Sequence, residues 1–345
     1  MDHFDVIVVG GGPAGSAAAI RSAQSGARVV LIERSVFPRH RPGETLHPGI
    51  EPLLQQLGVW DVITEANFIR HHAIRIRCGG QDMIRPFGSD ANGQWYGLQA
   101  WREEFDALLL NRARELGVTI IQTCTVERTI FHDDRVNGVI TSTGHISADF
   151  TIDAAGGRHW LANELKLPLR LESSRLIARY GYAEGDLPDN WDHPLLSVDE
   201  NGWTWIARVR SRIFQWTRLD SRFSDSEFAE NVVPSQLRGL RQTGHATGAV
   251  VTWRCVSASA GRGYFLTGAA AAVLDPASSH GVLKAIMSGI YAGHLIEQIR
   301  NKKRNCDSAA QEYSKWIARW FQHDVASLRK MYNEFGLLSL ATPHY

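Results

Sequence analysis

Short apolar runs, separated by glycine turns and helix-period stretches, set the rhythm of the chain. Asp5–Val9 (DVIVV) is rich in β-branched residues and predicts a buried strand. A glycine turn follows at residues 10–15, and the Ala-rich stretch Ser16 to Gln24 predicts a helix that ends near Gly26. Val29–Ile32 predicts a second strand and runs into Glu33. Gly43–Gly58 predicts a loop leading into a helix. Trp101–Leu116 has helical spacing at Phe105, Leu108, Leu109 and Ala113, with Gly117 closing it. Ile74–Arg77, Met83–Pro86, Val118–Gln122, Val126–Phe131 and Val136–Thr141 predict strands. From Arg175 to Leu219 the pattern is β-rich and predicts a separate sheet. Thr247–Cys255 and Tyr264–Thr267 predict strands that return to the first region. Gly281–Ile299 and Ser308–Tyr332 predict the last helices.

Composition narrows this picture. The chain has 345 residues, enough to bury a sizeable core without staples, and a net charge of +1. Near-neutral charge gives no field to steer a nucleic acid or a strongly acidic partner. The four cysteines show no Cys-x-x-Cys spacing and no accompanying histidine cluster, so neither a metal site nor a disulfide framework is expected. No signal-peptide pattern and no apolar run of spanning length is seen, which predicts a cytoplasmic protein without a membrane span. Arg outnumbers Lys by 31 to 6, and no lysine precedes Lys166. Trp is abundant at 11.

The glycine turn carries the first chemistry. Gly10 permits the tight turn, Gly12 lets the backbone approach a pyrophosphate, and Gly15 lets helix and strand pack closely. Gly12, Pro13 and Ala14 open the helix, whose free N–H groups face anionic oxygens. Glu33 stands 18 residues after Gly15, where an acid takes a ribose diol. Strand, turn, helix, second strand and acid together predict dinucleotide binding. No second complete GxGxxG occurs.

Four stretches resemble the FAD-dependent monooxygenase superfamily that includes aromatic hydroxylases, geranylgeranyl-reductase-type enzymes and flavin-dependent halogenases. They are the N-terminal fingerprint with Glu33-Arg34, then Phe37-Pro38-Arg39 with Gly43-Glu44-Thr45, then Trp101-Arg102 with Phe105-Asp106. The fourth is Gly268 with Asp275-Pro276 and Ser278-Ser279-His280-Gly281-Val282; Asp153 and Gly156 add a weaker match. The resemblance implies an α/β fold: a Rossmann-like FAD domain of the glutathione-reductase type, with an inserted, mostly antiparallel β-sheet substrate domain and a C-terminal helical segment. It divides the chain into a discontinuous FAD domain (1–70, 100–165, 245–300), a substrate domain (71–99, 166–244) and a helical tail (301–345). It also implies cofactor contacts from Arg34, Arg41, Arg102, Val126, Asp153, Gly156, Gly268 and Asp275. The turn Ser279, His280, Gly281, Val282 would offer N–H groups to the flavin's pyrimidine edge, where a helix N-terminus stabilises negative charge.

Two departures from that pattern matter. Ala269 stands where the superfamily has an aspartate on the ribityl chain, which predicts flavin binding weaker by roughly 1–3 kcal/mol, or another polar group in its place. Exchangeable FAD, reduced by a separate reductase, follows as an expectation. Halogenases resemble the chain at Trp203-Thr204-Trp205-Ile206, but their motif continues to a proline, and they use an active-site lysine. Here Ala207 and Arg208 follow, and His71 aligns near the lysine's place, which argues against halogenation.

Within the superfamily, the chain is most similar to flavoproteins that oxidise a tryptophan within a polypeptide, including those that mature cysteine tryptophylquinone, on the wording of Ala272–Ala285 and Asp153–Arg158. That implies a monooxygenase using FAD and O2, delivering oxygen through a flavin C4a-hydroperoxide to an indole in a peptide or protein. His71, His280 and His47 are the acid/base candidates; for His71 the plainer reading, a surface histidine before a strand, carries more weight. Trp203, Trp205 and Trp216 read as an aromatic wall for a flat substrate or as ordinary core. Two alternatives stand beside this reading: a geranylgeranyl-reductase-like enzyme, and a flavoprotein-like binding module without catalysis.

Overall fold

The computed structural model describes residues 3–91, 93–187, 191–223 and 233–343. Short parts of the predicted segments 1–70, 71–99, 166–244 and 301–345 lie outside the described residues. The first sheet is built on His3–Val9, which pairs in parallel with Val29–Ile32 on one side and Gly144–Asp153 on the other. Thr119–Ile121 extends it in parallel beyond Val29–Ile32. Gly144–Asp153 changes partners along its length: it pairs antiparallel with Arg135–Thr141 early and in parallel with Tyr264–Leu266 late. The full or partial exposure of most of its first half and the full burial of residues 150–153 hide it as one strand in the sequence.

Seven α-helices occur among the described residues: α1 (Pro13–Gln24), α2 (Glu51–Leu57), α3 (Trp60–Glu65), α4 (Arg102–Glu115), α5 (Trp160–Glu164), α6 (Gly281–Arg300) and α7 (Cys306–Glu334). α1 starts from an extended Gly12 with Pro13 at its first position and has no side-chain cap. α2 stops at a left-handed Gly58, and α7 starts where the Asn305 side chain accepts from the Ser308 N–H. α1 and α6 cross in close contact: a Cβ on Gly289 would stand 2.3 Å from the Ala14 carbonyl oxygen. The Ala17–Ala19 face of α1 makes this approach possible and is fully buried.

The second sheet has seven strands, in the order Arg241–Val250, Ile177–Glu184, Ile213–Asp220, Gly202–Arg210, Leu195–Asp199, Ala73–Cys78, Gln81–Pro86. Its one parallel contact joins Leu195–Asp199 to Ala73–Cys78. The expected strand Thr247–Cys255 is two strands. Its first part lies at the edge of this second sheet, and Arg254–Val256 pairs instead with Leu169–Leu171 and Ala272–Val273. The switch falls where Val251 and Trp253 turn into the main core, so an even run of β-formers serves two sheets. Glu44–Leu46, Gly97–Ala100 and Ile69–His71 form a small three-stranded sheet. No helix among the described residues is long and apolar enough to cross a membrane.

Candidate functional site

A cavity of about 450 Å³ runs along the carboxyl ends of the parallel strands. The uncapped N-terminus of α1 opens onto it, lined by Gly12, Pro13 and Ala14, and so does the N-terminus of α6, lined by Gly281 and Val282. Neither helix carries an acid in its first turn, so both partial positive charges face the groove uncompensated. Gly10 has a φ of 101°, and a Cβ on Gly15 would overlap the Gly10 carbonyl at 1.8 Å, so both glycines serve the turn itself. The Glu33 carboxylate accepts from the Gly11 N–H at 2.8 Å and the Ser35 N–H at 2.9 Å, which fastens the turn to the second strand.

Arginines crowd this groove. Arg102 is fork-bonded to Asp106 at 2.7 and 3.0 Å and donates to Glu44 at 3.2 Å. Burial works against its charge, but those two carboxylates win and hold the guanidinium above its ordinary value. Arg39 differs. It stacks on Phe37 and lies 3.6 Å from Asp106, yet its Nε and Nη1 are buried with no hydrogen-bond partner. Burial, and then the neighbouring Arg41, pull its guanidinium below the ordinary value. Buried donors without acceptors are costly, and an anion beside Arg39 removes that cost. The groove's lining, two helix N-termini and the partnerless Nε and Nη1 of Arg39, therefore fits a phosphate-bearing dinucleotide such as FAD.

Beyond α6, rings follow one another away from the groove. His280 caps α6 in position and lies 5.4 Å from His47; His47 lies 6.1 Å from Phe87, and Phe87 lies 5.4 Å from His71. Burial, then His280, lower the His47 pKa. Burial, then His193 and His72, lower that of His71 to about 3. His71 Nδ1 meets the Gln99 amide at 3.2 Å, Gln99 accepts from Thr45 at 2.8 Å, and Thr45 accepts from the Trp205 indole at 3.1 Å. Lys284, one turn after His280, is held by Asp324 at 3.7 Å and over the Trp320 ring at 4.7 Å.

The family described as FAD dependent oxidoreductase matches residues 5–157, and the family described as Tryptophan halogenase matches residues 89–333. The chain belongs to the tryptophan halogenase family. It is thus one of the FAD-dependent oxidoreductases, and FAD is its cofactor. It is 26% identical to a Tryptophan 2-halogenase of Chondromyces crocatus over 90% of this chain, and spans 64% of that protein's length. It is 25% identical to the 1H-pyrrole-2-carbonyl-[peptidyl-carrier protein] brominase of Pseudoalteromonas luteoviolacea, over 86% of this chain and 77% of the brominase. The crystal structure of CmlS, a flavin-dependent halogenase, superposes with a TM-score of 0.87 at 25% identity, covering 100% of this chain and 66% of CmlS.

In this halogenase-family member, Gly10, Gly12, Pro13, Ala14, Glu33 and Arg34, each named from sequence as a cofactor contact, line the groove. So do Arg41, Arg102, Val126, Gly156, Gly281 and Val282. Six expected cofactor residues do not line it: Gly15, Asp153, Gly268, Asp275, Ser279 and His280. Gly15 packs the turn. Asp153 accepts from the Ala155 and Leu161 N–H groups at 2.8 and 3.0 Å. Gly268 donates its N–H to Ser288 at 2.8 Å. Asp275 accepts from Tyr332 and from the Ala277 N–H, with Trp203 donating to the same Tyr332 hydroxyl at 2.9 Å. Ser279, left-handed at φ 52°, shapes the turn into His280.

The aromatic wall needs correction too. Trp203 is 1% exposed and committed to Tyr332, because α7 covers that face of its strand. Trp216 is buried on the opposite face among Ala183, Ile206 and Phe214. Only Trp205 stays near the site, through Thr45. Sequence reading missed Arg39 and Phe87. Arg39 sits in the Phe-Pro-Arg stretch that carried the resemblance, which was the available signal; Phe87 had none, since only tertiary packing brings it to His71 and His47.

Proposed function

We propose that the chain transfers one oxygen atom from O2 to an electron-rich aromatic ring, an indole, and that this indole is a tryptophan within a peptide or protein. The observation that carries the reading is the run His280, His47, Phe87, His71 at the flavin end of the groove, a row of rings with no free amine in it. The nearby Lys284 is engaged by Asp324 and Trp320. When bound and reduced, FAD supplies two electrons to O2 and makes one of its oxygen atoms electrophilic. One oxygen atom then enters an aromatic C–H bond and the other leaves as water. Arg39, Arg41 and the α1 amides would hold the pyrophosphate, and the α6 amides would hold negative charge on the flavin's pyrimidine edge. Phe87 and His47 present flat faces to a flat ring and exclude water. His280 and His47 would take the proton that the ring loses. A separate reductase would supply the electrons.

Halogenation of the same ring is the second reading, favoured by family membership. The relative named for a ring tethered to a peptidyl-carrier protein supports a macromolecular substrate under either reading. The test is incubation of the protein with photoreduced FAD, O2 and a tryptophan-bearing peptide, with and without bromide. Oxygen transfer gives a hydroxylated peptide in a yield that bromide does not change. A brominated peptide formed only with bromide establishes the second reading instead.

A further inference from the structure

We infer that Trp205, Thr45 and Gln99 form a one-way hydrogen-bond relay that locks His71 in its Nε2–H tautomer, so that His71 serves the site as a hydrogen-bond donor and not as a base. The direction follows from what each group can do. An indole N–H only donates. Trp205 Nε1 lies 3.1 Å from Thr45 Oγ1, so Thr45 accepts there and its own hydrogen is free to go elsewhere. It goes to Gln99 Oε1 at 2.8 Å. The other end of the Gln99 side chain is then its NH2, which only donates, 3.2 Å from His71 Nδ1. Nδ1 accepts, and the ring's one hydrogen in the neutral form sits on Nε2. Amide orientation in a glutamine is often open to either assignment; with the amide reversed Thr45 would accept from both sides and its hydrogen would lose Gln99 Oε1, its one acceptor among the described residues, so the satisfied arrangement sets Oε1 toward Thr45.

The relay is built across the molecule. Trp205 comes from the seven-stranded sheet, while Thr45, Gln99 and His71 come one each from the three strands of the small sheet. Gln99 and His71 are each 2% exposed, so water does not compete for their bonds. Nε2 is itself buried and has no hydrogen-bond partner among the described residues. Gly97 stands across from it in register, and a Cβ there would lie 2.7 Å from Nε2, so the backbone is cleared for the ring. The charges that face the imidazole are His193 and His72, both unfavourable to a second proton, and the ring that packs on it is Phe87. A buried donor without an acceptor points to a ligand atom that accepts. The chemistry that satisfies it is an oxygen with a lone pair, on the aromatic substrate or on the oxygen in transfer. This last step rests on the function proposed above; the tautomer does not.

Trp205, Thr45 and Gln99 are therefore positioning residues. The test uses the full chain loaded with FAD and labelled with isotopic histidine, and reads the His71 tautomer from its ring nitrogen resonances, assigned by their loss in His71→Gln. The expected parent spectrum is Nε2–H around neutral pH. Gln99→Glu offers acceptors at both ends and is expected to turn His71 to Nδ1–H. Trp205→Phe removes the head of the relay and is expected to give a mixture, while Thr45→Ser keeps the hydroxyl and the parent tautomer. An Nδ1–H parent, or an unchanged Nε2–H in Gln99→Glu, would overturn the inference, and an unchanged tautomer in Trp205→Phe would remove Trp205 from it. No turnover is needed, so the outcome stands whether the enzyme hydroxylates or halogenates.

Discussion

Arg39 keeps two buried donors without partners although Asp106 and Glu33 are close, which sets it apart from Arg102, whose donors are committed. A charge-assisted bond to a phosphate oxygen contributes about 1.5–3 kcal/mol. Arg39→Met should therefore weaken FAD binding by roughly tenfold or more, read as the Kd from flavin-fluorescence titration; an unchanged Kd would remove Arg39 from the pyrophosphate site. Asp275 gives a second prediction at this scale. Burial, against bonds from Tyr332 and Ala277, pushes its pKa up to about 6. The folded state thus holds a proton that the unfolded state has lost, so the contribution of Asp275 is complete below about pH 4 and is lost as pH rises through about 6. Asp275→Asn should remove that fall, so the difference in Tm between variant and parent should shift in the variant's favour as pH rises from 4 to 6. A pH-independent difference would contradict the buried, proton-holding Asp275.

Between elements, α1 and α6 place their two N-termini along one groove because Gly289 lets them meet at the Ala14 carbonyl. Gly289→Ala should cost about 1–3 kcal/mol of stability by overpacking and weaken FAD binding together with it, measured by denaturation and flavin titration. Full FAD affinity in a destabilised variant would show that the two N-termini are set independently. Periodicity made these helices and the first parallel strands readable, since strand, turn and helix each follow from residues within about thirty positions. Gly144–Asp153 went unread as a strand and Thr247–Cys255 was read as one, because each changes partner strand part-way and partner choice leaves no local period. The groove glycines were readable for the same local reason, while the α6 turn was named only through the resemblance to the superfamily. The run of His280, His47, Phe87 and His71, and the link from Trp205 through Thr45 and Gln99, come from segments far apart in sequence, so the residues were nameable but their contacts were not.

Across the whole molecule, one hydroxyl joins three regions. Tyr332 near the end of α7 donates to Asp275 in the turn before α6 and accepts from Trp203 of the seven-stranded sheet. Tyr332→Phe leaves both partners buried without it and should destabilise the protein by about 1–3 kcal/mol, with α7 loosened first in hydrogen exchange; protection lost only elsewhere would contradict α7 as the clamp. That clamp ties the seven-stranded sheet to the turn before α6, and the claim that matters most concerns what is transferred in the proposed site beside it. The most direct measurement is mass spectrometry of a tryptophan-bearing peptide after turnover with reduced FAD and heavy-isotope-labelled O2, with bromide present. The account predicts a product carrying one heavy oxygen atom and no bromine. A brominated peptide without labelled oxygen would contradict it.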